Sequence, residues 1–331
     1  VPAVQSTTPA HAGTVINGED RLWLDSVDEA LRVAAETNRH VLIDFTGTGW
    51  CGFCKRLDGE VLSTAPFLET MPSKYVLVRL DFDAKGSART DLPHAAKNDA
   101  LKATLGVDGF PRIVTMTAAG VPYGELGYER GGARPYVEKL EKLHGQAAEL
   151  ETAVPMATSA IAAARSKEDA EAAADAVVAL LRDAGPHALA APLIPVVRAV
   201  LNVPEIAPER ERAGLLALFA ANEVEDALID RAFRVDPANK AGVPEAALAA
   251  AVRTVSDASA IGPLIQRIED FMVNVIVHDP NVAAQLYGDC AYYIRNWQND
   301  EDRARVMASF ALRLGPKDKA LTEMLKNLAG R

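Results

Sequence analysis

The chain has 331 residues, enough for about two domains, and its 49% hydrophobic and 24% charged residues exclude a largely disordered protein. Its 35 basic and 45 acidic residues give a formal charge of −10, which argues against nucleic acid as the main partner. Three cysteines are too few for a scaffold held together by disulfides, and no apolar run approaches the ~18–20 residues that cross a bilayer.

Residues 1–20 are rich in Ala, Thr, Pro and Gly and show no periodicity, which predicts a flexible lead-in. The first residue is Val1 and not Met, and a tail of this kind commonly follows a cleaved export signal. We therefore expect an exported protein of the periplasm or cell envelope, and we favour this over a cytoplasmic location.

Residues 21–147 alternate between helical and strand patterns. Ser26 and Glu29 have the spacing of a capping box, and an apolar helical stripe follows them. The nearly all-apolar segments 41–45 and 75–80 are typical of strands buried on both faces. Further patterns predict a strand at 112–116 and helices at 52–70, 94–105 and 136–144. Strands that alternate with helices predict an α/β domain whose central mixed sheet is flanked by helices.

Residues 148–331 differ in composition from the preceding part. Ala supplies 41 of the 181 residues in 151–331, whereas only 7 of the 22 glycines lie there, and this predicts an all-α domain of about nine or ten short helices. Three similar phrases, whose prolines lie 43 and 36 residues apart, are interpreted as helix starts; they begin at Asp236, Asp279 and Gly315. They weakly resemble the end of a tetratricopeptide repeat, so we expect an array of helical hairpins.

The segment 50–55, Trp-Cys-Gly-Phe-Cys-Lys, follows the first buried strand by a short loop and opens a helix. Two cysteines separated by two residues in the first turn of a helix can form a disulfide with little backbone movement. Cys51 then lies beside the free N–H groups of the helix start, whose partial positive charge stabilises a thiolate, and Lys55 adds to that field. We therefore expect Cys51 to be the nucleophile and Cys54, one turn into the helix, to be the resolving thiol.

In this region the sequence resembles the thioredoxin superfamily, over about residues 25–145. The segment 44–55 matches the family's acid and active-site signature, 80–83 matches the end of its central strand, and 106–111 matches the segment with its cis-proline. The loop before the cysteines looks like that of exported thioredoxin-like proteins and of the C-terminal domain of bacterial membrane thiol-transfer proteins. There are two departures: Phe53 stands where thioredoxin itself has proline, and the loop to the first cysteine is one residue longer than usual.

The resemblance implies a thioredoxin fold and roles for further residues. Asp44 is expected to be a buried acid beneath Cys54 that exchanges a proton with it, and a solvent-facing carboxylate at the strand end is the alternative. Pro111 is expected to be a cis-proline that faces the disulfide, where backbone pairing holds the substrate. The residues expected to contact the substrate are Trp50, Gly52, Phe53, Phe110 and Pro111.

Several conspicuous residues also allow a purely structural interpretation. Cys51 and Cys54 could form a structural disulfide or half of a zinc site, but the remaining cysteine, Cys290, is distant in the chain and expected to be buried and inert. His40 and His94 are expected to be structural or on the surface. Four aromatic residues with helical spacing are expected to pack between hairpins, with a groove for a partner as the alternative: Tyr287, Tyr292, Tyr293 and Trp297.

The predicted function is thiol–disulfide exchange on protein disulfides, as a reductase or an isomerase, with no organic cofactor or metal beyond the Cys51–Cys54 disulfide. Gly52 and Phe53 carry no charge that would stabilise a thiolate, which argues against a strong oxidant. The expected partners are protein disulfides, an upstream thiol donor, for which a membrane-bound protein is one option, and a protein on the helical domain. The alternative is a scaffold whose helical domain recruits a partner, with the thioredoxin-like module as a mount.

Overall fold

The structure is a computed structural model that describes residues 14–16, 19–89, 94–255, 258–274 and 276–330. Its contacts divide the chain into a first unit, Val1–Glu151, and a second unit, Thr152–Arg331. The boundary predicted from the sequence lies four residues earlier, between 147 and 148. Of the predicted lead-in, 1–13 and 17–18 lie outside the described residues. The sequence pattern does not predict the two short strands that pair antiparallel there, β1 (Thr14–Ile16) and β2 (Glu19–Arg21).

The first unit is built on a five-stranded sheet, formed by β3 (Trp23–Leu24), β4 (His40–Thr46), β5 (Tyr75–Asp81), β6 (Arg112–Met116) and β7 (Pro122–Leu126). The strand order is β3-β5-β4-β6-β7, with β4 parallel to β5 and antiparallel to β6, and with β6 antiparallel to β7. Every residue of β4 is buried, as its nearly all-apolar sequence predicts. The prediction of an α/β domain with a mixed central sheet is confirmed.

Five helices belong to or begin in this unit: α1 (Val27–Thr37), α2 (Gly52–Leu57), α3 (Ala65–Thr70), α4 (Ala95–Thr104) and α5 (Ala133–Ala163). The hydroxyl of Ser26 accepts the backbone N–H of Glu29 at 3.3 Å and caps α1, as the capping-box spacing predicts. One face of α1 packs in the same apolar cluster as β4 and β5, through Ala30, Val33 and Ala34. The sheet and its first helix thus share one core.

The prediction of one continuous helix over 52–70 is wrong. A π-helical turn, Asp58–Leu62, follows α2, and Thr64 is extended (φ −94°, ψ 153°) before α3 begins. Proline has no N–H and its ring clashes with the carbonyl one turn earlier, so Pro66 disfavours a continuous helix at this point. The chain instead starts a new helix with Pro66 in its first turn, where the missing N–H has no cost.

The second unit is all-α, as predicted. In the described part of the chain it has nine α-helices after α5: α6 (Lys167–Ala184), α7 (Ile194–Leu201), α8 (Pro208–Ala220), α9 (Asp226–Val235), α10 (Val243–Thr254), α11 (Ala258–Asn274), α12 (Pro280–Trp297), α13 (Glu301–Arg313) and α14 (Lys319–Ala329). None of the described helices has the length and apolar content required to span a membrane. A regular repeat stays a prediction.

The three similar phrases of the second unit do not all start helices. Asp279 caps α12, and the phrase at 315 ends in Asp318, which caps α14. The interpretation of Asp236 as a helix start is wrong, because Asp236 follows α9 and its carboxylate accepts three N–H groups of the loop that leads to α10. The donors are Lys240, Ala241 and Val243, at 2.8, 2.9 and 3.2 Å.

The aromatic residues of α12 have different environments. Tyr287 is fully buried, whereas Tyr292 is 47% and Trp297 39% exposed. Core packing, expected for the whole group, therefore describes Tyr287 and not these two. Cys290 on the same helix is also fully buried, and burial raises the pKa of its thiol to about 12, as expected for an inert cysteine.

Candidate active site

The two neighbouring cysteines lie where the loop after β4 enters α2. Cys51 occupies the N-cap position of α2, and its sulfur accepts the backbone N–H of Cys54 at 3.1 Å. The two sulfurs form a disulfide, with the Cα atoms 5.2 Å apart. Cys51 is 6% and Cys54 3% exposed, so the two cysteines differ little in accessibility in this disulfide state.

Positive charge surrounds the first cysteine from two sources. The backbone N–H of Cys54 in the first turn of α2 donates to the Cys51 sulfur, and such a group at a helix start stabilises a thiolate. Lys55 lies at the surface and its ammonium donates to the carbonyl of Gly49 at 3.1 Å, which holds the charge at the loop that leads to Cys51. The neighbouring Arg56 guanidinium lies over the ring of Phe53 instead, 5.7 Å from its centroid.

The segment before β6 contacts the disulfide. The peptide bond between Phe110 and Pro111 is cis, and the carbonyl oxygen of Phe110 lies 3.7 Å from the Cys51 sulfur. The ring of Phe110 stacks on Phe82 and meets the edge of Trp50, with centroid separations of 5.2 and 6.0 Å. Trp50 is 44% exposed and its indole N–H donates to the carbonyl of Phe82 at 2.9 Å, so it flanks the disulfide and does not lie in the core.

The dipeptide between the cysteines faces solvent. Gly52 is exposed, and Phe53 is 56% exposed although it is a large apolar residue. The Phe53 ring rests against Tyr128, with a centroid separation of 5.6 Å. Tyr128 was not among the candidate residues that the sequence indicated.

Asp44 lies in the middle of β4 and is 2% exposed. Its register partner on β5 is Arg79, whose Nε donates to Asp44 Oδ2 at 3.0 Å and whose Nη2 donates to Asp58 at 2.7 Å. The other carboxylate oxygen, Oδ1, has no hydrogen-bond partner among the described residues. Desolvation raises the pKa of Asp44 to about 6, against the opposing effect of the Arg79 charge and hydrogen bond, and the charges of Asp58 and Asp81 add to the rise.

A cavity of about 220 Å³ connects this carboxylate to the second cysteine. Asp44, Cys54, Lys55, Asp58 and Arg79 are among the residues that line it. A cavity of this volume with polar walls has room for water molecules, each of which needs roughly 30 Å³. Asp44 and Cys54 therefore line one cavity that can hold water.

Arg79 was not among the candidate residues, although the sequence contains a signal for it. It is the one charged residue in the predicted strand 75–80, and a charge within a buried strand requires a partner. Its guanidinium also lies over the ring of Trp23, 4.4 Å from the centroid, which fixes it from a third side. Only the strand register reveals that Asp44 is the partner.

His40, expected to be structural or on the surface, is buried at the start of β4, the end of the strand away from Cys51. Its two ring nitrogens contact the hydroxyl of Tyr123 and the carboxylate of Glu151, both at 2.8 Å. The ring of His144 lies 4.6 Å from that of His40, and burial lowers the pKa of His144 to about 4. This cluster joins the sheet to α5 and is separate from the cysteines.

Comparisons with known proteins agree with this geometry. Residues 22–118 match the thioredoxin-like family model. Over 120 residues the chain is 30% identical to the disulfide bond reductase DsbH of Chlamydia pneumoniae, an alignment that covers 36% of this chain and 71% of that protein. The chain belongs to the thioredoxin-like family. This thioredoxin-like protein is, with its Cys51–Cys54 pair, a thiol–disulfide oxidoreductase.

Two solved structures are also similar to this thioredoxin-like protein. A DsbH oxidoreductase is 27% identical with a TM-score of 0.36, and the match covers 44% of this chain and 94% of that one. The solution structure of a thioredoxin from Thermus thermophilus is 23% identical with a TM-score of 0.29, covering 39% of this chain and 88% of that one.

Proposed function

We propose that the protein is a disulfide reductase that acts on disulfides in other proteins. The observation that carries the proposal is the position of the Cys51–Cys54 disulfide, which lies between the start of α2 and the Phe110 carbonyl, with the buried carboxylate of Asp44 behind Cys54. The name of the similar protein, disulfide bond reductase, agrees with this direction of electron transfer.

In the first step the Cys51 thiolate attacks one sulfur of the substrate disulfide. The bond between Cys51 and that sulfur forms while the substrate S–S bond breaks, and the second substrate sulfur leaves as a thiolate that takes a proton from solvent. The helix start favours the Cys51 thiolate before the attack, because the backbone N–H of Cys54 points at the sulfur.

In the second step Cys54 resolves the mixed disulfide. Its thiol transfers a proton to Asp44 through the shared cavity, and the resulting thiolate attacks the Cys51 sulfur. The substrate's remaining sulfur leaves as a thiolate, so the substrate gains two electrons and the protein keeps the Cys51–Cys54 disulfide. A carboxylate with a pKa of about 6 is mostly ionised at pH 7 and is therefore ready to accept this proton.

A reductase must be reduced again after each turnover, so we propose an upstream thiol donor, with a membrane-bound donor as one option. We also propose that the protein is exported and works in the periplasm or cell envelope, where protein disulfides are common. Fractionation of the source cells, with an antibody raised against the chain, tests the location, and recovery only in the cytoplasm would contradict it.

Reduction of insulin, followed by turbidity with excess dithiothreitol, tests the activity. We expect the wild-type chain to accelerate reduction, Cys51→Ser to be as slow as dithiothreitol alone, and the matched control Cys290→Ser to retain the wild-type rate. If the wild type neither reduces insulin nor reshuffles a scrambled ribonuclease, the proposal fails and the scaffold alternative is favoured. If it reshuffles a scrambled ribonuclease but does not reduce insulin, it is an isomerase.

A further inference from the structure

Phe53 lies between the two reactive cysteines and is one of the more exposed large apolar residues of the first unit, at 56%. Its ring is nevertheless held in place, because Tyr128 packs against it at 5.6 Å and the Arg56 guanidinium lies over it at 5.7 Å. An exposed apolar side chain that is fixed by its neighbours offers a preformed contact surface.

Tyr128 is fixed by contacts of its own. It follows β7, and a Cβ added to the preceding residue, Gly127, would lie 3.9 Å from the carbonyl oxygen of Pro111, so this loop runs beside the segment that touches the disulfide. The hydroxyl of Tyr128 donates to the carboxylate of Glu60 at 2.9 Å. Because Glu60 lies in the π-helical turn after α2, this bond ties the loop after β7 to the helix that carries the cysteines.

A second aromatic surface lies on the other side of the disulfide. Trp50 and Phe110 form it, and both contact Phe82, which follows β5. In the strand order β3-β5-β4-β6-β7, β5 leads to Phe82 and β7 leads to Tyr128. The disulfide lies beyond the ends of β4 and β6, the two strands between them. The two aromatic surfaces therefore flank the disulfide.

We propose that the Phe53–Tyr128 pair determines substrate specificity, by selecting extended peptide disulfides that carry a large apolar side chain next to the reacting cysteine. The inference rests on the proposed reductase function and names its substrate class. Phe53 lies two residues after Cys51 in this protein. When a substrate sulfur is bonded to Cys51, the substrate residue next to the reacting cysteine therefore comes close to Phe53. A large apolar side chain removes the two rings from water, whereas a small polar one leaves them exposed.

Single-turnover reduction tests this inference. The reduced full-length chain, freed of dithiothreitol, is mixed with two symmetrical peptide disulfides of equal charge that differ only in Phe or Ser after the cysteine. Each event oxidises Cys51 and Cys54 to a disulfide and converts one peptide disulfide into two thiols, so no further reductant is needed. The second-order rate constant is measured for each peptide.

We expect the wild type to reduce the Phe peptide about tenfold faster than the Ser peptide, a difference of about 1.4 kcal/mol in transition-state free energy. Tyr128→Ser should bring the ratio of the two rates close to one, mainly by slowing the Phe peptide. Tyr128→Phe keeps the ring without the hydroxyl bond to Glu60 and should retain most of the ratio. Tyr292→Ser removes a tyrosine of the second unit that is 47% exposed and should leave the ratio unchanged.

The possible failures are distinguishable. If the wild type reduces neither peptide, the proposed reductase function fails and this inference fails with it. If the wild type reduces both peptides at one rate, or Tyr128→Ser slows both by the same factor, the reductase function stands and the role of the pair is refuted. If Tyr128 has a merely structural role, Tyr128→Ser slows both peptides by the same factor, because loss of folded protein lowers both rates equally.

Discussion

Asp44 combines two opposite environments on one carboxyl group. Oδ2 accepts a hydrogen bond from Arg79, whereas Oδ1 is buried with no partner in the described part of the chain. An ionised carboxylate loses its hydration at such a position, and the single guanidinium, which Asp58 shares, does not compensate for the loss. The folded state therefore favours the protonated form, and the pKa rises from 3.8 to about 6.

This raised pKa predicts a stability that depends on pH. In the unfolded chain Asp44 ionises near pH 3.8, whereas in the folded chain it keeps its proton up to about pH 6. The folded state binds more protons between these values, so stability is lost as pH rises through this window and the loss is complete above about pH 7. At 1.36 kcal/mol per pKa unit the loss is about 3 kcal/mol.

Replacement of Asp44 by a neutral isostere should remove that loss. We expect Asp44→Asn to raise the free energy of unfolding by up to about 3 kcal/mol at pH 7.5 and to change it little at pH 4. Urea unfolding of the oxidised chain, followed by Trp23 and Trp50 fluorescence in a Trp297→Phe background, measures both values. Asp108→Asn, at a side chain 89% exposed, is the control and should show no such contrast. Equal stabilisation by Asp44→Asn at both pH values would contradict the desolvation argument.

At the scale of the elements, the dipeptide Asp-Pro has two different structural roles in the second unit. Asp279 accepts the N–H groups of Asn281 and Val282 at the first turn of α12, the ordinary function of an N-cap. Asp236 is 5% exposed and organises a loop between two helices, where its carboxylate accepts three backbone N–H groups. Loss of the Asp236 carboxylate therefore leaves more backbone N–H groups without an acceptor than loss of the Asp279 carboxylate.

The two aspartates should therefore differ in their contribution to stability. We expect Asp279→Ala to lower the free energy of unfolding of the second unit by about 1 kcal/mol, as for an N-cap. We expect Asp236→Ala to lower it by about 3 kcal/mol, because each buried unsatisfied donor costs about 1–3 kcal/mol. Calorimetry of the full chain measures both, and hydrogen exchange at the amides of 240, 241 and 243 should accelerate only in Asp236→Ala. If the two variants lose the same free energy of unfolding, the three hydrogen bonds of Asp236 stabilise the protein no more than an ordinary N-cap does.

Local sequence signals account for most of the elements and for part of the site. The strand at 112–116, the cap at Ser26 and the cysteine pair at a helix start each follow from residues within one segment. Contacts across the sheet could not be obtained in this way. Arg79 meets Asp44 only because β4 and β5 pair in one particular register, and Tyr128 meets Phe53 from a strand two positions away in the sheet.

At the scale of the molecule, each unit has a core of its own. The apolar cluster of the first unit is formed by residues from Leu24 to Met116, all within that unit. Helix α5 is tied to the sheet by two buried polar groups, since the hydroxyl of Tyr75 donates to the carbonyl of Leu140 at 3.1 Å and His40 contacts Glu151. A unit of about 150 residues can bury enough surface to fold alone. We propose that the second unit contributes to the choice of partner and not to the chemistry.

The last prediction tests this division with two fragments. A fragment of residues 19–163, which contains the whole of α5, should fold cooperatively and reduce small disulfides at a rate similar to the full chain, because the cysteines, Asp44 and Arg79 all lie within it. A fragment of residues 19–147 ends before Glu151 and leaves a ring nitrogen of buried His40 without its acceptor, which costs about 1–3 kcal/mol. We expect its Tm to be lower by about 5–10 °C, measured by circular dichroism. If the longer fragment is unfolded, the second unit completes the core of the first. If both fragments have the same Tm, the bond between His40 and Glu151 contributes nothing to the attachment of α5.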